Sequence, residues 1–288
     1  MSLFLRKHSY RVFQAGARIF ALLIPARYWY PAVLRICRLQ ASFLRPLIAI
    51  SPYRRDPRSS ILVAWLMNSW LPQLTAFHRP FPMSLRSTGD QIVHQAALNP
   101  KGFVVCSGHL PLVQCVLSSL TDMGHPPTAI VSRERESNEG KYWVWGLGKA
   151  LPAIVPGRDV LIKVRTILRH GGSVAAMVNR GPSGPFHHNI FRLIHSLGAQ
   201  VVFSTVALQP DGEILVEYFA PPDPSFSSDE SIAINLQALQ AGIDRSLMPP
   251  STLTTAPVLL AKNITPQSGA HFSQGDSILR SDTKAPNR

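Results

Sequence analysis

"VVCSGHLPLVQC", residues 104–115, is the stretch on which the reading of this 288-residue chain turns. An apolar run stops at the small, polar Ser107-Gly108-His109, Pro111 follows, and a second apolar run begins. Phe103–Cys106 has the length and unbroken apolar character of a buried strand, and the turn sequence Asn99-Pro100-Lys101-Gly102 precedes it. Pro111 suits the first turn of a helix, where its missing N–H costs nothing. Leu112, Val113, Val116, Leu117 and Leu120 continue at helical spacing. The spacing therefore puts His109 at the carboxyl end of a buried strand, where open α/β sheets bind their ligands.

The same alternation continues outward. Thr128–Val131 and Val174–Val178 read as further buried strands. Leu161, Val164, Ile167 and Leu168 form a helical stripe stopped by Gly171-Gly172. Val201–Leu208 and Ile214–Tyr218 flank Gln209-Pro210-Asp211-Gly212 as a hairpin. Ser227-x-x-Glu230 is a capping-box pattern opening an amphipathic helix through Ile232, Leu236, Leu239, Ile243 and Leu247. These elements predict an α/β domain, a mainly parallel central sheet flanked by helices, over residues 59–262. Residues 263–288 are polar, without apolar period, and read as a loose tail.

Composition narrows the partners. The chain is 45% hydrophobic and 16% charged, which fits a packed core rather than a disordered polymer. Its net charge of +13 points to an anionic partner. Residues 1–58 hold eleven Lys or Arg and a single acid, Asp56, so they carry +10 of that +13. The cations are interleaved with Phe4, Leu5, Phe13, Phe20, Leu22, Leu23, Trp29 and Tyr30. That mixture fits helices lying in an anionic membrane interface; the plainer alternative is a helix pair on the core with solvated arginines. No run is long and apolar enough for a clear transmembrane helix, and the uncharged run 59–78 reads as a core helix. Cys37, Cys106 and Cys115 have no metal-like spacing and no disulfide framework, which implies a reducing setting. Charge alone raises nucleic acid as a partner, but no RNA-binding or helix-turn-helix motif accompanies it.

Serine-hydrolase, P-loop, dinucleotide and zinc motifs are absent from the sequence. Four stretches instead carry a resemblance: "STGDQIVHQAALNPKGFVVCSGHLPLVQ" (87–114), "AIVSRERESNEG" (129–140), "ILRHGGSVAAMVNRGPSGPF" (167–186) and "LGAQVVFSTVALQPDGEILVEYFAPPDP" (197–224). In this order and spacing the chain resembles the lipid A biosynthesis acyltransferases, the lauroyl/myristoyl branch of the glycerolipid acyltransferase superfamily, over roughly residues 60–250.

The resemblance implies a His followed five places later by Asp or Glu. His109 matches, and Gln114 stands where the carboxylate should be. It implies an Arg after the second strand, matched by Arg133 with Asn138 near it, and an Asp-Arg or Asp-Gln that here reads Asn179-Arg180. On that likeness His109 is the general base, Gln114 its altered partner, and Arg133, Asn138, Asn179 and Arg180 bind substrate. A fatty acyl group would pass directly from an acyl carrier protein or coenzyme A thioester to a hydroxyl or amine of a lipid acceptor. The resemblance implies that no acyl-enzyme, cofactor or metal takes part and that the setting is the cytoplasmic face of a bacterial inner membrane. Glu134 and Glu136 are the nearest acids by motif to replace the lost carboxylate; pairing with Arg133 and Arg135 is the alternative. His187-His188 is not expected to bind metal, since adjacent residues point apart and no third ligand is evident. The two amides leave a rival open: a non-catalytic relative that binds lipid or acyl carrier protein.

Overall fold

The computed structural model describes residues 14–48, 60–131, 140–179 and 188–247. Met1–Thr252 forms one compact unit that contains all of them. The second unit, Leu253–Arg288, lies outside the described residues, as does the expected tail 263–288.

Phe103–Ser107 forms a strand, β2, with every residue buried. The turn before it is drawn tight by Gly102 N–H donating to Asn99 O (2.9 Å). Gly102 sits at φ +67°, and a Cβ there would run into Gly172 O, so both the conformation and the contact require glycine. In chain order the strands are β1 (Leu85–Thr88), β2, β3 (Thr128–Ile130), β4 (Lys141–Trp143), β5 (Ala150–Ile154), β6 (Ser173–Met177), β7 (Gln200–Leu208) and β8 (Ile214–Phe219). They lie side by side as β1-β8-β7-β2-β6-β3-β5-β4. β1–β8, β7–β2, β2–β6, β6–β3 and β3–β5 are parallel, whereas the β7–β8 hairpin and the β5–β4 edge are antiparallel. The sheet is thus mixed with a parallel majority, and β2 is central because all five of its side chains are apolar or small enough to be covered on both faces.

The helices are α1 (Gln14–Leu23), α2 (Trp29–Ile48), α3 (Ser60–Thr75), α4 (Asp90–Ala97), α5 (Cys115–Asp122), α6 (Val160–Arg169), α7 (Asn189–Leu197) and α8 (Asp229–Ser246). The register pairs Ser107 with Ser204 and Ser204 with Tyr218, and Tyr218 Oη donates to Val116 O (3.3 Å), so α5 covers that face. On the opposite face a Cβ on Gly242 of α8 would meet Phe219 and Thr205. The run 59–78 supplies α3, a core helix that buries Met67, Leu71 and Leu74.

Two expectations are corrected, and three strands are added to those that the apolar runs predict. Pro111 does not open a helix: residues 111–114 form a turn, Leu112 adopts φ +64°, and α5 starts only at Cys115. A left-handed residue cannot continue a right-handed helix, so the apolar spacing here packs a turn instead. Ser228 rather than Ser227 caps α8, its hydroxyl accepting from Ser231 N–H (3.1 Å). The strands β1, β4 and β5, of which β1 and β4 form the sheet's two edges, do not follow from apolar runs, being short and half-buried.

The basic N-terminal segment joins the main core over its described part. Trp29 Nε1–H donates to Ile24 O (2.7 Å), holding the bend at Pro25 between α1 and α2. Trp29, Val33, Leu34 and Cys37 are buried with the sheet's residues in one cluster. Tyr30 Oη donates to Gly212 O and Arg38 to Pro210 O, which ties α2 to the β7–β8 turn. Residue 58 therefore marks a change of charge rather than the start of a separate core. Other basic and apolar residues of the segment, Phe4, Leu5, Phe13, Arg54 and Arg55 among them, lie outside the described residues.

Candidate functional site

β2 ends at Ser107, and two residues later His109 stands half-buried at the strand's carboxyl end. β6 runs parallel to β2, so its own continuation, Asn179, arrives beside it. Asn179 is 3% exposed. Its Oδ1 accepts from the His109 backbone N–H (2.8 Å) and lies 2.7 Å from His109 Nδ1. The backbone N–H can only donate, so the atom of Asn179 facing it is the oxygen, and that oxygen can only accept from Nδ1. Nδ1 therefore carries the ring proton, and the lone pair sits on Nε2.

A cavity of about 350 Å³ opens at His109 and runs between α5 and the sheet. It exists because the strand residues beneath α5 are small: Ser107, Ala129, Ala175 and Ser204 leave space that larger side chains would fill. Val105, Leu117, Val131 and Met177 make its walls apolar, and Trp65 and Asn68 of α3 border it. Among the described residues no Asp, Glu, Lys or Arg lines it. Its size falls in the range of small-molecule pockets, about 300–1,000 Å³.

Gln114, five residues after His109, also lines the cavity and is 6% exposed. Among the described residues its Oε1 has no hydrogen-bond partner, so the amide at this position does not hold the imidazole through that oxygen. The residue that does is Asn179, assigned from the sequence to substrate binding; β-strand register brings it to His109 across 70 positions of sequence. Arg133, Asn138 and Arg180, with Glu134, Glu136, Pro185, Phe186 and His187, lie outside the described residues. Among the described residues no group of three or more His, Cys, Asp or Glu could hold a metal ion. Trp145 is buried, with its carbonyl accepting from Ser118 Oγ, and Trp143 stacks on His78 with ring centroids 3.7 Å apart. Burial pushes the thiols of Cys37 and Cys115 up to about 12, which leaves them protonated and unreactive core residues.

Ser204 is the residue that pattern reading missed. Inside the apolar run of β7 it reads as a small core position, and only the register places it in the cavity level with Ser107. The chain matches no family model and no curated protein.

Proposed function

We propose that this protein is a membrane-peripheral acyltransferase that moves a fatty acyl group from an acyl carrier protein or coenzyme A thioester to a hydroxyl or amine of a lipid acceptor. The observation that carries the reading is an imidazole with its Nδ1–H bound to Asn179, and hence a free Nε2, at the mouth of an apolar cavity. The acyl chain occupies the cavity, which leaves the thioester carbonyl beside His109. His109 Nε2 takes the acceptor's proton as its oxygen or nitrogen attacks the carbonyl carbon. The C–S bond breaks, and the proton passes from the imidazolium to the departing thiolate. The acyl group ends on the acceptor and the thiol leaves with its carrier, so no acyl-enzyme forms.

The N-terminal helices fit a peripheral position on a membrane, and the resemblance implies the cytoplasmic face of a bacterial inner membrane. Leu22 (79% exposed), Leu23, Leu39 and Phe43 (79% exposed) project from α1 and α2 beside the exposed Arg18, Arg27, Arg35 and Arg38. Among the described residues no single helix is long and apolar enough to cross a membrane, and α1 and α2 are bent against each other by 118°. Exposed apolar side chains among cations are the composition of an interfacial anchor.

One observation favours a second reading. Neither amide near His109 supplies a negative charge to stabilise an imidazolium, which fits a protein that binds acyl carrier or lipid without turnover. Acyl transfer from acyl carrier protein to a membrane-lipid extract, measured beside thermal unfolding, separates the two. The enzyme reading expects transfer by the wild type, and its loss in His109→Ala at an unchanged melting temperature. Transfer that survives His109→Ala overturns the assignment of the base. A wild type that binds acyl carrier and transfers nothing supports the second reading.

A further inference from the structure

We propose that the cavity takes a hydroxylated acyl chain, its hydroxyl within the first few carbons of the thioester, and that Gln114 and Ser204 recognise that hydroxyl. This inference rests on the acyl-transfer reading and names its substrate class. Among the described residues, Gln114 Oε1 and Ser204 Oγ are both buried without a hydrogen-bond partner, and both residues line this one cavity. Two orphaned polar atoms in a largely apolar chamber cost stability unless an occupant pairs with them. A plain hydrocarbon chain would leave both unpaired.

The chemistry of the lining selects the substituent. An amide offers an acceptor oxygen and a donor nitrogen, and the serine hydroxyl can do either. A hydroxyl on the occupant donates to Gln114 Oε1 and accepts from Ser204 O–H in the same pose. A charged substituent would be desolvated with no counter-charge, since no Asp, Glu, Lys or Arg lines the cavity among the described residues. The position follows from register. Ser204 is level with Ser107, two residues before His109, or about 7 Å along the strand. Gln114 lies in the turn that joins His109 to α5. The two therefore flank the part of the chamber next to the imidazole, where the carbons following the thioester carbonyl would lie. Asn179 already holds the imidazole, so the motif's fifth position is released from that task to read the substrate.

Calorimetric titration of the full chain with dodecanoic, 2-hydroxydodecanoic and 3-hydroxydodecanoic acids tests this without turnover. In the wild type one hydroxy acid is expected to bind about tenfold tighter than the plain acid. That preference should vanish in Gln114→Leu and shrink in Ser204→Ala, with the plain acid bound at least as tightly as before. Gln114→Leu should also melt no lower than the wild type, because it removes an orphaned amide. Equal affinity for the three acids in the wild type means that water or nothing satisfies the two atoms, and overturns the proposal. So does a preference that survives both substitutions. A protein that prefers a hydroxy acid but transfers nothing keeps the chamber's assignment while the enzyme reading fails, and a protein that transfers plain and hydroxylated acyl groups equally does the reverse. Failure to bind any of the acids removes both.

Discussion

Asn179 Oδ1 accepts from the backbone N–H of His109, and this decides what the same oxygen does to the His109 ring. The amide orients the imidazole and sets its tautomer but adds no charge. A carboxylate in its place would do both, because it also stabilises the imidazolium. On the proposed acyl-transfer reading, Asn179→Asp is accordingly expected to move the acid limb of the rate–pH profile to higher pH. The sign follows from the base being active only when neutral: a stabilised imidazolium gives up its proton at higher pH. Asn179→Leu should lower turnover by about 10²-fold by releasing the ring, and should cost about 1–3 kcal/mol by leaving the His109 N–H unpaired. Gln114→Glu, in contrast, puts a carboxyl in a largely apolar chamber that has no lining cation among the described residues, and should destabilise the protein. Rate–pH profiles and denaturant melts on the three variants check this. An unmoved profile in Asn179→Asp would show that residue 179 does not act through the ring.

The elements that aim His109 are β2, β6 and α8, and they meet at Gly108. A Cβ on Gly108 would collide with Ile243 Cδ1 of α8 and lie 3.6 Å from Asn179 Nδ2. Gly108→Ala should therefore push the His109 loop off its partner and lower transfer by about tenfold or more, since a 1 Å misplacement can cost about 10². The contact is with the end of a side chain, so Ile243→Ala in the same protein should restore most of the loss although it empties core volume. A Gly108→Ala, Ile243→Ala cycle measured for transfer and for melting temperature tests the coupling. Additive effects would show that α8 does not set the loop. The sequence states this element logic in part. Gly102, β2 and the β7–β8 hairpin are legible from turn residues and apolar runs, but the left-handed Leu112 that delays α5 is not, because its side chain packs equally well in a helical reading.

At the scale of the molecule, a strongly basic, partly apolar N-terminal segment is fastened to the sheet by α2. Trp29, Val33, Leu34 and Cys37 point into the shared core, while Leu22, Leu23 and Phe43 remain exposed. The protein should float with vesicles containing anionic lipid and should be released by salt, whose screening length falls to about 3 Å at 1 M. Leu22→Glu with Phe43→Glu should weaken flotation without lowering the melting temperature, since neither side chain contributes to the core. Flotation with neutral vesicles that high salt leaves intact would contradict an electrostatic, peripheral attachment.

The sequence by itself determined the α/β alternation, the strand end that bears His109 and the concentration of charge in the first 58 residues. Each of these is a local property, written in runs, spacings and turn residues a few positions apart. Only the tertiary structure decided that the sheet is mixed, that Asn179 rather than Gln114 holds His109, and that Ser204 and Gln114 share one chamber. Strand register sets those neighbours. Parallel pairing joins β2 to β6 and β7 across about 70 and 97 positions, and no local pattern records which residue of a distant strand lies opposite His109.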